Sequence, residues 1–595
     1  MTRTYILTWA LLLAGPLSFS ELSMAEAIPV ELRQTHSGWQ LLRGGEPYFI
    51  RGAGGSASLQ QLKDAGANSV RTWGAEDLDA LLDEAHSLDL TVTVGIWLGH
   101  ERHGFDYRDE RQLKEQLQRV REAVQRYKNH PALLLWGVGN EMEGLESGDD
   151  ARIWKAVNDA AALIKKLDPN HPTMTVTAEV GGGRIDGVHS NSPAIDIHGI
   201  NSYGGATSLP ERLRAGGATK PYVLTEFGPP GTWEIAATEW GAPLEPTSTQ
   251  KAAFYKAAYE RGVLGAKGQV LGAYAFTWGF KMEATATWYG MFLSDGSRLA
   301  AIDTMTQLWS GRDPENFAPD IQPLAVAGPV TVDPGSVVSV SALVTDKEQD
   351  EIRTHWALRP ETGDYMTGGD FRPNLPDIEG AIIKSSNGAA RVRMPDYPGP
   401  YRLFLVAHDT AGNAATANVP LLVKGEVRPR LPIDVYRDGL EGMPWAPSGW
   451  MGNIEALTLD GKHSENPQDG AASIKLRYEG SYGWAAVAWQ NPANNWGDMD
   501  GGFDVSGATA LELWARGEYG GEKVNFGVGL IEDDKPYPDS AKTNVEGIVL
   551  TREWQKYRVP LKKLDLSSIK SGFVVALTGR QTPVTIYLDS IRFVD

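Results

Sequence analysis

From Tyr48 onward the chain alternates short apolar runs with stretches whose apolar residues recur every three to four positions. Runs of four to eight apolar residues bounded by glycine or polar residues predict strands buried on both faces, and the 3.6-residue periodicity between them predicts covering helices. Eight such runs fall at 49–54, 69–73, 91–98, 132–139, 173–178, 195–201, 222–226 and 271–278. Between them, Leu78, Leu81, Leu82, Ala85 and Leu88 form one helical stripe, and Leu113, Leu117, Val120, Val124 and Tyr127 form another. Eight strands with helices between them predict a (β/α)8 TIM barrel. Residues 180–194 are glycine-rich and show no helical stripe, so the barrel is expected to be irregular after its fifth strand. Before the first strand, polar and apolar residues alternate around Gly44-Gly45, which predicts a hairpin closing the bottom of the barrel.

Beyond Asp313 the pattern changes. Prolines at 314, 319 and 323 mark a linker, and strand-length runs then follow one another without helices. Runs at 337–344 and 401–409, the latter leading into Ala411-Gly412-Asn413, predict a small antiparallel sandwich whose expected role is spacing. A second linker, 424–432, leads to short strands at 473–478, 510–515, 524–528 and 584–594, which predict a jelly roll. The domain assignment is therefore a removable leader at 1–27, a (β/α)8 barrel with its hairpin at 28–313, one β-sandwich at 314–424 and a second at 433–595.

The leader is assigned because Arg3 precedes an apolar run from Tyr5 to Leu17 and small residues follow at Ala25 and Ala27. That order is the one read by secretory cleavage, and the run, broken by Gly15-Pro16, is short for a membrane span. The 595 residues contain no cysteine, which excludes a disulfide framework and cysteine-bound zinc. The expected location is the bacterial periplasm or exterior. A formal charge of −19 argues against nucleic acid and anionic membranes as partners and suits a neutral ligand. The oligomeric state has no signal in the sequence.

The candidate chemistry lies at strand ends. The run from Ala132 stops at Asn140-Glu141, and the run from Tyr222 stops at Glu226, so two carboxylates emerge at the carboxyl-terminal face where barrel strands converge. The same face collects Arg71, Trp73, Trp97, His100, Glu179, Tyr203 and Trp278. Two facing carboxylates, roughly 5–5.5 Å apart in retaining enzymes, are the machinery of glycoside hydrolysis. Both cannot ionise cheaply, so one holds its proton and serves as an acid. Arg71, where it reaches Glu226, would keep that group charged and leave Glu141 as the proton donor.

Trp-Gly-Val-Gly-Asn140-Glu141 and Leu-Thr-Glu226-Phe-Gly228 resemble the fourth- and seventh-strand motifs of clan A glycoside hydrolases, and Val-Gln-Arg-Tyr-Lys-Asn-His-Pro131 is similar to the family-two barrel of β-galactosidases and β-glucuronidases. The resemblance covers roughly residues 48–309. It implies Glu141 as acid/base, Glu226 as nucleophile, Asn140 on the sugar 2-hydroxyl, Arg71 and Tyr203 as hydrogen-bond donors to the nucleophile, and Trp278 as the floor of the sugar site. It departs from family two in order, because here the sandwiches follow the barrel. The 401–413 string resembles the last hairpin of bacterial immunoglobulin-like modules, and the strand ending at Phe593 resembles that of carbohydrate-binding modules.

Other candidates keep two roles open. Trp97, His198 and Trp233 are assigned to substrate binding; a histidine within a strand is also an ordinary core residue, and Trp233, like Trp240, packs its own loop as readily as it stacks on sugar. Glu179 reads equally as a ligand or as one side of an ion pair. In the last domain Trp484, Trp489 and Trp496 suit either a sugar-binding strip or the core. His100-Glu-Arg-His103 lacks the four-residue spacing of metalloprotease histidines, and neither a catalytic metal nor a cofactor is expected. The expected function is that of an exported retaining β-glycoside hydrolase acting on a polysaccharide or oligosaccharide, β-glucan before others. Transglycosylation on the same glycans and a non-catalytic glycan-binding scaffold are the alternatives.

Overall fold

A computed structural model describes residues 27–101, 104–143, 147–362, 365, 375–425, 431–440 and 443–595. The leader assigned at 1–27 lies, but for its last residue, outside the described residues. No helix among those described is long and apolar enough to cross a membrane.

Three short strands, β1 (Val30–Thr35), β2 (Gly38–Arg43) and β3 (Glu46–Tyr48), form an antiparallel meander. The barrel strands are β4 (Ile50–Gly55), β5 (Ser69–Arg71), β6 (Thr91–Ile96), β7 (Leu133–Asn140), β8 (Thr173–Ala178), β9 (Ile197–Asn201), β10 (Tyr222–Phe227) and β11 (Val270–Trp278). They pair in chain order, all parallel, and β11 closes on β4. Every residue of β7 from Leu133 to Gly139 is buried, as a strand between a barrel interior and a helical layer requires. The meander does seal the lower end, with Val30 and Leu41 packing against Ile50, Leu134, Met174, Val223 and Leu271.

The helices are α1 (Leu59–Asp64), α2 (Asp79–Ser87), α3 (Glu110–Tyr127), α4 (Ala151–Leu167), α5 (Arg184–His189), α6 (Leu209–Ala215), α7 (Ser248–Ala257) and α8 (Ala300–Ser310). In α3, Asp109 accepts from the amides of Arg111 and Gln112, and Val120, Val124 and Tyr127 turn inward; an acidic N-cap and one apolar stripe fix both its start and its rotation. The glycine-rich stretch after β8, expected to lack a helix, contains the six-residue α5. Its buried Ile185 and Val188 supply too few positions for a periodic stripe.

A two-residue strand ties the barrel to the next domain: β12 (Arg298–Leu299) pairs in parallel with Asn413–Val423 of the middle sandwich. That sandwich packs Val338, Val340, Trp356, Val392, Leu403 and Leu421 between its two main sheets. The last domain stacks a sheet built on Val584–Val594 against one built on Trp484–Gln490, with Trp445, Trp489, Phe573 and Phe593 in the core. The architecture is a TIM barrel followed by β-sandwich domains.

Candidate active site at the mouth of the barrel

Local backbone geometry delivers the two carboxylates. At the end of β7, Gly139 (φ +73°) and Glu141 (φ +49°) both take left-handed conformations, turning the chain off the strand. A Cβ at Gly139 would meet the Met142 side chain at 2.7 Å, so glycine is required there. Holding a glutamate at positive φ costs of order 1–3 kcal/mol, a strain that persists where surrounding contacts impose it. Here the Glu141 amide donates to the Val176 carbonyl at 2.9 Å. In β10 the pairing register slips between Leu224 and Glu226, and such a bulge re-aims a side chain.

Glu226 is 5% exposed and surrounded by donors. Arg71 Nη1 donates to Oε1 at 2.9 Å, Trp73 Nε1 to the same oxygen at 2.8 Å, and the Tyr203 hydroxyl to Oε2 at 2.8 Å. Burial and the neighbouring Glu226 charge raise the Tyr203 pKa well above that of a free phenol, so Tyr203 remains a donor. Three donors complement an anion.

Glu141 sits in a different environment. It accepts a hydrogen bond from Asn201, whose Nδ2 donates to Oε1 at 2.7 Å. Burial first, then the charge of Glu226, push its pKa up to about 8. A chain of contacts joins the two acids: Arg71 Nη2 donates to Asn140 Oδ1 at 2.6 Å, and Asn201 Nδ2 lies 3.2 Å from the same oxygen. Because a guanidinium only donates, the Asn140 amide oxygen must face Arg71, which leaves the amide nitrogen as its outward group. Asn201 is fixed in turn by Thr225 Oγ1, which donates to its Oδ1 at 2.8 Å.

The raised pKa makes a stability prediction. Below about pH 4.5 Glu141 is protonated folded or unfolded; between 4.5 and about 8 the unfolded chain ionises first, so stability falls as pH rises through that window. Glu141→Gln removes this titration. Its urea midpoint is expected to match wild type near pH 4 and to exceed it at pH 7 by the equivalent of about 2–3 kcal/mol.

The structure brings Arg71, Asn140, Glu141, Tyr203 and Glu226 together and separates other candidates from them. Trp278 does not floor the site: it is fully buried, donates Nε1 to the Ser58 carbonyl at 3.1 Å and packs edge-on against Phe292. A register slip between Phe276 and Trp278 accompanies this placement, and Phe276 instead meets Trp73, Tyr203 and Tyr289 at ring distances of 5.7–6.0 Å. His198 is also withdrawn, fully buried between Thr177 Oγ1 at 2.9 Å and His189 at 3.1 Å. Burial keeps it neutral by lowering its pKa well below that of a free imidazole. Trp97 is exposed and stacks on His100 at 4.9 Å. Trp233, 55% exposed, stands edge-on to Tyr203 at 6.4 Å and so lies on the rim of the site. Glu179 is engaged by Arg212 and Ser202, the ion-pair role of its two.

Trp73 and Asn201 acquire roles that sequence reasoning did not give them. Each stands two positions from an assigned residue, Arg71 and Tyr203, and a period of two was the available signal. In the last domain Trp489 belongs to the core, whereas Trp484 is exposed with Tyr482 and Tyr519. Asp346, Asp350 and Asp409, whose carboxylates come close enough to hold a metal ion, lie in the middle sandwich rather than at the barrel mouth.

Residues 76–232 match the model of the glycosyl hydrolases family 2 TIM barrel domain. Over that stretch the barrel is similar to the family 2 glycosyl hydrolase barrel. Residues 433–595, downstream of it, match carbohydrate binding domain 30. A Formosa agariphila protein provisionally named β-glucuronidase is 28% identical over 177 residues, which is 30% of this chain and 14% of that protein. Mannan endo-1,4-beta-mannosidase F of Aspergillus clavatus is 26% identical over a match covering 23% of this chain and 42% of its own length. Among solved structures, a β-D-glucuronidase of Dictyoglomus thermophilum is 19% identical, with a TM-score of 0.38, over 48% of this chain and 54% of that one. The chain spans only part of the length of each of these relatives.

Proposed function

We propose that the chain is a retaining β-glycosidase acting on a β-linked polysaccharide or oligosaccharide by double displacement. The observation that supports it is the asymmetry of the two acids: Glu226 held by three donors, and Glu141 beside it with a pKa raised to about 8. Glu226 attacks the anomeric carbon while Glu141 protonates the departing oxygen, so the glycosidic bond breaks as the glycosyl ester forms. Water, deprotonated by Glu141, then releases the sugar. Asn140 offers its amide nitrogen to a sugar hydroxyl, a contact worth most when it strengthens in the transition state.

The relatives differ in the sugars their names specify, and β-linkage is what those names share. A net charge of −19 favours a neutral glycan, and β-glucan is the class to test first. The leader signature and the absence of cysteine suit a bacterial exported enzyme, with the carbohydrate-binding domain holding it on polymer.

The test is product release from soluble β-glucan, β-mannan and β-glucuronide-containing oligosaccharides, with Glu226→Ala beside wild type. Release from β-glucan, absent in the variant, is expected. No release from any glycan, with binding intact in both proteins, would favour the scaffold alternative. Trp233→Ala is expected to raise KM for long glycans about 3- to 10-fold with kcat little changed, the effect of losing one exposed aromatic stacking face; initial rates on a chain-length series check this.

A further inference from the structure

The middle sandwich was expected to be a spacer, yet it grips the loop that follows Glu226 at two points. Residues 228–247 leave β10 and return to α7. Near its start, Thr232 Oγ1 donates to the Tyr365 carbonyl of the sandwich at 2.7 Å, and Tyr365 packs with Phe276, Trp288 and Tyr289 beside the site. Near its end, Arg402 of the sandwich donates Nη2 to the Pro243 carbonyl at 2.9 Å.

Arg402 is fully engaged. It lies buried in the strand Gly399–His408, with Nε at 3.0 and 2.8 Å from the two Glu361 oxygens and Nη1 donating to Asn418 Oδ1 at 2.7 Å. Asn418 Nδ2 passes the contact to Glu245 Oε2 at 2.7 Å. Glu245 also takes the hydroxyls of Thr285 and Thr287 at 2.6 and 2.7 Å and pairs with buried Lys251. The loop end is thus fixed to the sandwich and to the segment that leads directly into Trp288 and Tyr289.

The same loop reaches the chemistry. Glu234 Oε2 accepts from the amides of Gly204 and Gly231 at 2.8 Å each, and Oε1 from the Gly205 amide at 3.2 Å. Gly204 and Gly205 directly follow Tyr203, the donor to Glu226 Oε2.

We propose that the middle sandwich is a working part of the barrel's active site, with Arg402, fixed by Glu361, as its positioning residue, holding through Pro243 and Asn418 the loop that keeps Tyr203 on Glu226 and Trp233 at the rim. The energetic logic is that a buried guanidinium with fixed donors tolerates few loop conformations, and reacting groups displaced by about 1 Å lose on the order of 10²-fold in rate. For its kinetic arm the proposal rests on the glycosidase reading; its structural arm does not.

The variant is Arg402→Met with Glu361→Gln, which removes both members of the buried pair and strands neither charge. Its controls are Val392→Ala, a truncation in the sandwich core away from the loop, and Glu234→Gln. Hydrogen exchange needs no turnover: peptides covering 200–208 and 229–247 are expected to exchange about 10-fold faster or more in the double variant, with 30–48 unchanged and the Val392→Ala protein like wild type at both. On a cleaved glycan, kcat per folded molecule is expected to fall about 10-fold or more well below the unfolding temperature, and the losses from the double variant and Glu234→Gln should not add. Should the double variant not fold, Arg402→Lys, unable to span Glu361, Asn418 and Pro243 together, takes its place with the same readouts. Unchanged exchange at 200–208, or an equal loss of kcat in Val392→Ala, overturns the proposal; altered exchange in a protein that cleaves no glycan overturns the glycosidase reading alone.

Discussion

Replacing Glu226 with alanine is expected to lower kcat by on the order of 10⁴- to 10⁶-fold, because in the proposed double displacement the substitution removes the atom that forms the covalent intermediate. The donors around it hold both carboxylate oxygens. Arg71 and Trp73 fix Oε1 and Tyr203 fixes Oε2, so the carboxylate plane is set before substrate arrives. The alanine protein should retain its fold, since Arg71 keeps two acceptors in the Thr225 carbonyl at 2.9 Å and Asn140. Azide admitted into the vacated space is expected to restore cleavage of an activated β-glycoside and to yield the α-glycosyl azide, the product of a single displacement. Losing the Glu226 charge also removes one of the causes that raise the Glu141 pKa, so on a leaving group that still needs its proton the alkaline limit of the azide reaction should fall below about 8. Turnover within about 100-fold of wild type would show that Glu226 is not the nucleophile.

Glu141→Ala is expected to cost about 10²- to 10⁴-fold in kcat/KM on an unactivated glycosidic bond, the usual contribution of a positioned general acid. The loss should shrink on aryl glycosides whose leaving group departs without a proton. Wild-type kcat/KM is expected to decline as pH rises through about 8, where Glu141 gives up the proton it must donate, and that decline should vanish in the variant. A decline that survives Glu141→Ala would assign the proton to another group. Burial is the largest cause of the raised pKa and Glu226 the second, so Glu143→Gln, which removes a weaker like charge, should move the limb down only slightly.

Much of the barrel was legible because a parallel strand buried on both faces leaves an uninterrupted apolar run, and β8 and β10 begin where their runs begin. The carboxylates were legible for the related reason that a charged residue ending such a run can emerge only at the strand's end. Placement beyond the strand ends was not. Trp278 and Phe276 have the same spacing from the barrel as any period-two pair, and it takes the register slip against β4 to send one into the helical layer and the other to the mouth. His198 looked like a ligand because composition does not reveal that Thr177 and His189 already occupy its two nitrogens. The coupling of the middle sandwich to the loop after Glu226 joins residues more than 150 positions apart, Pro243 and Arg402, and no local periodicity encodes such a contact.

The measurement that bears most directly on a two-glutamate retaining mechanism is the anomeric configuration of the first product released from a β-linked glycan, followed by proton NMR faster than mutarotation. Double displacement at Glu226 predicts the β-anomer first, with α appearing later by mutarotation. An α-anomer as the first product would mean a single displacement by water, and Glu226 would then be a base instead of a nucleophile.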